Sequence, residues 1–388
     1  MSINRTHRWT TVLSLGLGAV LFTGCAGGAP AATTSSAPAT ASAEDFDLDQ
    51  LIEAAKAEGP ITIYDSTSKI EKMAAAFTKT YGIEATGVKA DATEAIEKVT
   101  REAQSGNVVG DVVAISDLPA VKNQLLPNNF VTNWVPADLA ENIDPSMQEP
   151  LVVITDPSFW TYNTEAFDTC PATNIWDFTT EKFTKKVAFQ DPVGDNGALD
   201  WYSQMEQFGD QELHDAYKEA FGEELKTDKE SAAAEWVSRM AANQPILTKS
   251  SEEASEAVGA TGQDDPPMAL MSSAKYRNID EKGYALGVCE GLVPWVGKAS
   301  PKSLTIVSGT KSPNAAKLFV HFALTQEGID PQISDGKISS NSSVKQPEDP
   351  ANVGDHLKEI FQFDNAGLET DWASREKWQD LWRTSSKK

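Results

Sequence analysis

The chain has 388 residues, with 33 basic and 57 acidic side chains and a net charge of −24 at pH 7. No basic cluster of any length occurs, which argues against a nucleic-acid partner, and such acidity suits a soluble exterior protein without fixing the charge of its ligand. The absence of G-x-S-x-G, H-E-x-x-H and P-loop patterns removes support for a hydrolase, a zinc protease or a nucleotidase.

Residues 1–24 read as a secretory signal. Arg5 and Arg8 form its basic start, and residues 10–22 are an apolar run too short to span a membrane. Leu21-Phe22-Thr23-Gly24-Cys25 resembles a bacterial lipoprotein lipobox, in which small residues precede a cysteine that becomes lipidated. The resemblance implies a lipid anchor on Cys25 and an extracytoplasmic, membrane-attached protein. From 25 to 45 the chain is a low-complexity tether that cannot bury a core. Beyond the signal, 31 basic and 57 acidic residues leave a net charge of −26.

The remaining body of about 340 residues is long enough for two lobes. A helix over 48–58 ends at Glu58-Gly59-Pro60. Ile61, Thr62, Ile63 and Tyr64 then read as a buried strand, and Ile70, Met73, Phe77 and Tyr81 recur at helical spacing. Between them lies Asp65-Ser66-Thr67-Ser68, whose side chains can cap the helix. A helix N-terminus at the carboxyl end of a strand is where open α/β sheets bind ligands. Ser66, Thr67 and Ser68 are therefore expected on one wall of a cleft. The pattern repeats: a strand over 83–88, a helix over 92–105, and a strand over 111–115 that runs into Ser116-Asp117. Two such βα turns in one lobe predict a doubly wound α/β sheet.

Strands over 151–154 and 159–162 follow, interrupted at Thr155-Asp156-Pro157. From here the chain resembles the extracellular solute-binding proteins of ABC importers, in the two-lobed branch that includes ferric-ion, phosphonate, sugar-phosphate and polyamine receptors. The resemblance is carried by Tyr162-Asn163 with Phe167, Trp176-Asp177-Phe178, Lys185-Lys186-Val187-Ala188 and Asp191-Pro192. Leu304-Thr305-Ile306-Val307, the run from Ser312 to Phe319 and Gln326-Glu327-Gly328 continue it in the family's order. It implies a type II periplasmic-binding-protein-like α/β fold, each lobe an open, mostly parallel sheet flanked by helices, with ligand trapped between lobes as a hinge closes. The first lobe would take 46–152 and return over 297–345. The second would take 153–296, and helices in 346–388 would pack on the lobes. The implied partners are a small-molecule ligand and ABC permease subunits, for a monomer without cofactor or enzymatic activity.

In the second lobe a strand over 187–189 leads to a loop and a helix expected from Asp200. Gly194 and Gly197 permit close backbone approach, and Asp195 or Asn196 can cap the helix. Asp195, Asn196, Gly197 and Ala198 are thus expected opposite Ser66-Thr67-Ser68, while Trp201 and Tyr202 read as core. The segment 268–277 resembles the one that, in ferric-ion members, ends in adjacent metal-binding tyrosines. Those positions fall on Ala274 and Lys275, leaving a lone Tyr276 beside Lys275 and Arg277. Fe³⁺ needs several anionic oxygen ligands, so no metal site is expected. Ser272, Ser273, Lys275 and Tyr276 suit a small oxyanion or a polyhydroxylated ligand. An anionic or phosphorylated organic solute is the first reading. Ferric ion is the alternative, and a non-transport lipoprotein, enzyme or receptor, is the second.

Cys170 and Cys289 are the cysteines left besides Cys25. In an oxidising compartment they either pair, closing a long loop worth ~4 kcal/mol in the chain-entropy model, or stay as buried free thiols. His214, His321 and His356 are isolated and read as structural or exposed, so no catalytic set is expected. Trp378 and Trp382 share one face of a charged C-terminal helix and are expected to dock on a lobe.

Overall fold

In the computed structural model, which describes residues 46–387, the chain builds two sheets. The expected signal, Cys25 and tether lie outside the described residues. The strands in chain order are β1 (Ile61–Asp65), β2 (Ala85–Lys89), β3 (Val112–Ile115), β4 (Val131–Thr132), β5 (Val152–Thr155), β6 (Ser158–Tyr162) and β7 (Val187–Gln190). They continue with β8 (Ile246–Thr248), β9 (Met268–Ser272), β10 (Gly287–Val288), β11 (Gly297–Lys298), β12 (Pro301–Val307), β13 (Ile338–Ser339) and β14 (Ile360–Phe361). The first sheet runs β13-β5-β12-β3-β1-β2, with β4 on β12. The second runs β14-β11-β6-β9-β7-β8, with β10 on β6.

Local chemistry explains the first lobe. Ile61 and Ile63 of β1 are buried, and the helix Lys69–Tyr81 buries Ile70, Met73 and Phe77 on the face turned to the core. Gly82, at φ 74°, ends that helix in the left-handed conformation that glycine adopts without strain. The helix Ala92–Ser105 starts where the Asp91 carboxylate accepts from Glu94 N–H at 2.9 Å. All four residues of β3 are buried, as in a strand covered on both faces.

The sheets are mixed. In the βα halves, β1 pairs parallel with β2 and β3, and β7 pairs parallel with β8 and β9. The strands that carry the chain between lobes pair antiparallel: β12 with β3 and β5, and β6 with β9 and β11. A strand entering from the other lobe runs back along the sheet, which opposes it to its neighbours.

The chain crosses between sheets three times, at Asp156-Pro157, at Ala299-Ser300 and between β13 and β14. Asp156 N–H donates to Ser300 C=O at 2.8 Å, tying the first two crossings together. Strand pairing therefore places β5 in the first sheet and β11 in the second. The boundaries read from the sequence, at 152/153 and 296/297, fall a few residues before these crossings, because a local residue pattern does not mark which sheet a strand joins.

Each lobe has its own core. The second is aromatic: Trp160, Trp176, Trp236 and Tyr202 pack with Phe178, and Trp378 and Trp382 of the C-terminal helix Leu368–Ser385 complete it. Trp372 of the same helix is exposed. That helix lies on Asn196–Phe208 and Ala232–Ala242 of the second lobe and also meets Leu118–Ala120 and Val121–Leu125 of the first. Cys170 and Cys289, 119 residues apart, are joined by a disulfide. No helix among the described residues is long and apolar enough to cross a membrane.

Candidate ligand-binding site

A cavity of about 850 Å³ lies between the two lobes at the hinge. The carboxyl end of β1 supplies Ser66, Thr67 and Ser68 to its wall, and the end of β3 supplies Ser116. Thr67 Oγ1 accepts from Lys69 N–H at 3.3 Å, while Ser68 makes no side-chain cap bond. From the second lobe come Asp195, Ala198, Ser272 and Lys275, with Ala274 between the last two.

Five residues expected at the ligand face elsewhere. Asp117 receives Asn196 Nδ2 at 3.0 Å and two bonds from Arg375, at 2.6 and 3.3 Å. The two expected cleft walls thus meet each other at this end, and their polar atoms are used in that contact. Gly197 lies in the first turn of the helix Asn196–Phe208, which begins four residues before the expected start at Asp200 because Asp195 caps Gly197 N–H at 3.0 Å. Ser273 is buried and donates to Gly336 C=O at 2.7 Å. Tyr276 is buried in the second lobe, its hydroxyl 2.8 Å from Thr161 Oγ1. The three-residue period of the 3-10 turn Ser273–Arg277 puts Ser273 and Tyr276 on its inward side, so Lys275 reaches the cavity while Tyr276 enters the core. Burial pushes the Tyr276 phenol well above its ordinary pKa, and the bond to Thr161 does not offset this.

The floor of the cavity holds residues that the sequence reading did not single out. Lys298 ends β11, Lys302 lies in β12 and Lys337 precedes β13, and all three line the cavity. Their exposures are 9%, 7% and 6%. Lys302 donates to Asp65 at 2.5 Å and to Ser66 Oγ at 3.0 Å. Gln332 donates to the other Asp65 oxygen at 3.0 Å and accepts from Lys337 at 2.8 Å. Lys298 donates to Ser300 Oγ at 3.1 Å and stands 5.7 Å from the Trp201 ring centroid. Among the described residues, neither Lys298 nor Lys337 is in a salt bridge. Burial pulls both ammonium pKa values below the ordinary lysine value, although nearby carboxylates, Asp156 among them, oppose it.

The cavity wall carries seven cationic and five acidic side chains, in a chain whose net charge is −24. Four of the cations are neutralised in place: Lys69 by Asp335 at 3.3 Å, Lys275 by Glu252 at 2.9 Å, Arg277 by Asp335 at 3.3 Å, and Lys302 by Asp65. Burial opposes ionisation of Glu252, but bonds from Lys282 and Lys275 outweigh it and hold the carboxyl down at about 2. Serine and threonine hydroxyls from both lobes complete a polar lining, and Phe189, Trp201, Tyr202 and Leu270 add an apolar side. Trp201 and Tyr202 are buried, as the sequence suggested, and they also face the cleft. Among the described residues no group of three or more His, Cys, Asp or Glu is placed to hold a metal ion.

One signal for the missed lysines was present. Lys298 and Lys302 sit in VGKASPKSLTIV, where a charge interrupts residues that otherwise read as buried strand.

A family model described as bacterial extracellular solute-binding protein matches residues 72–356. Iron-bound HitA from Pseudomonas aeruginosa has a similar structure, with a TM-score of 0.63 at 16% identity over 84% of this chain and 99% of that one. AfuA from Actinobacillus pleuropneumoniae, with exogenous fructose-6-phosphate bound, reaches 0.59 at 17% identity over 85% and 99%. IdiA (FutA) from Trichodesmium, in complex with iron and citrate, reaches 0.60 at 13% over 85% and 100%. These TM-scores show a shared fold. No curated protein matches the chain.

Proposed function

The chain belongs to the bacterial extracellular solute-binding proteins, and on that premise we propose that it captures a small anionic organic solute between its lobes and delivers it to an ABC permease. Lipid attachment through Cys25 would hold it at the outer face of the cell membrane. The observation that carries the ligand class is the pair Lys298 and Lys337, buried at the cavity floor outside any salt bridge among the described residues. A buried ammonium whose carboxylate neighbours all stay beyond salt-bridge distance keeps part of its desolvation cost, and an incoming anion recovers it. The hydroxyls of Ser66, Thr67, Ser68, Ser116 and Ser272 supply donors for oxyanion or sugar oxygens. A cavity of about 850 Å³ has room for a carbon body as well as a charged head.

The ferric reading lacks comparable support. Lys275 occupies the position where the resemblance calls for a phenolate, and Tyr276 turns into the lobe. HitA and IdiA bind iron and AfuA holds a sugar phosphate, so the fold accommodates either chemistry and the side chains must decide.

Thermal unfolding of the purified chain across a ligand panel tests the proposal. The panel holds sugar phosphates, phosphonates, phosphate, polyamines, and Fe³⁺ with citrate. A ligand at 100 times its dissociation constant adds about 2.7 kcal/mol, a clear rise in melting temperature. A rise with an organic anion is expected; a rise with iron alone would reject the proposal.

A further inference from the structure

We infer that Lys298 sets the sign of the charge this cleft accepts: its ammonium occupies a cation site built from the Trp201 ring and the Asp156 and Asp195 carboxylates. The inference rests on the reading of the cleft as a site for an organic anion, and deepens it.

Trp201, Asp156 and Asp195 all line the cavity beside Lys298. An aromatic face flanked by carboxylates is the set that recognises an organic ammonium. Tyr202 packs beside the Trp201 ring at 5.6 Å between centroids. The Lys298 ammonium stands over that ring, 5.7 Å from its centroid, with Ser300 Oγ as its hydrogen-bond partner at 3.1 Å. Asp156 is turned to Ser272 Oγ at 2.7 Å and Asp195 to Gly197 N–H at 3.0 Å, so neither carboxylate is consumed by a salt bridge to Lys298. Both still act on it electrostatically, together with Asp200. Asp200 itself is held by Arg375 at 2.7 and 2.8 Å. The protein's own cation therefore fills the place a ligand cation would take, and leaves unoccupied donors toward the cavity. Lys337 lines the same floor but is bonded to Gln332, and no aromatic ring stands beneath it among the contacts of the described residues. Its removal should weaken anion binding without creating an ammonium site.

The test compares the full-length wild type with K298M, K337M and K298M/D156N by titration calorimetry. Glucose 6-phosphate, phosphonoacetate and citrate serve as anion probes, and putrescine and spermidine as cation probes. Methionine fills the volume of the lysine stem, so K298M should melt no lower than wild type; equal melting confirms that the variant is folded, and K298Q replaces it otherwise. K298M should lose roughly ten- to a hundredfold in affinity for whichever anion the wild type binds. It should also gain putrescine binding that the wild type lacks. K337M should show the loss without the gain, and K298M/D156N should lose the gained binding again. Failure of K298M, or of K298Q where it stands in, to bind either polyamine, or an equal gain in K337M, overturns the inference. If the wild type binds no anion in the panel, the functional reading fails, and the polyamine gain still decides the role of Lys298.

Discussion

Replacing Arg375 by Met should destabilise the protein by about 3–5 kcal/mol at pH 8, the range for breaking a buried ion pair by removing one partner. Arg375 makes two hydrogen bonds to Asp117 of the first lobe and two to Asp200 of the second, at 2.6 to 3.3 Å. Both carboxylates are buried, so neither regains water when the guanidinium is lost. Burial already pushes the Asp200 carboxyl above its ordinary range, with Arg375 pulling it down. Without Arg375 it moves further up and takes a proton near neutrality. A carboxyl whose folded pKa is raised contributes stability below its unfolded value and loses it as pH rises through the folded one. The cost of R375M should therefore be smaller at pH 5.5 than at pH 8. Urea unfolding at the two pH values measures both numbers, and R375M/D200N should recover part of the loss at pH 8. A loss under about 1 kcal/mol, or one that ignores pH, would refute the view that this clasp ties the lobes through buried charge.

Three further outcomes are open to measurement. K337M should weaken organic-anion binding roughly tenfold or more while leaving the unliganded melting temperature unchanged or higher, since it removes a desolvated ammonium; calorimetry and a melting curve read the two effects. Burial raises the Asp371 carboxyl to about 6 despite bonds from Gln204, Ser203 and Gln207. Its contribution should fall as pH rises from about 4 to about 6, and D371N should remove that component from the difference between wild-type and variant stability profiles. Reduction of the Cys170–Cys289 bond should cost about 2–5 kcal/mol, seen as a lower urea midpoint under reductant and as two alkylated thiols only after reduction.

Much of the fold was legible because its elements are local. The spacing of Ile70, Met73 and Phe77 marks a helix whatever lies around it, and the apolar run at β3 marks a buried strand. The hydroxyl turn after β1 was legible for the same reason: strand, polar turn and helix are contiguous, and their order puts Ser66, Thr67 and Ser68 on the cavity wall. Asp117 and Asn196 misled because a short polar residue after a strand has one sequence appearance whether it meets a ligand or the opposite lobe. Tyr276 misled because a one-residue phase in a 3-10 turn decides between cavity and core.

The amino-acid sequence by itself determined the βα units and the hydroxyl turn after β1, since each depends on residues within one or two turns of each other. Tertiary structure alone decided the cavity floor. Lys302 meets Asp65 across 237 residues because β12 returns to the first sheet between β5 and β3, and Gln332 meets the same carboxylate across 267 from the helix Gln326–Ile333. Whether a lysine is solvated or desolvated depends on what the returning chain lays over it. That is a property of the packed hinge, and it is what turns three scattered cations into the candidate anion site.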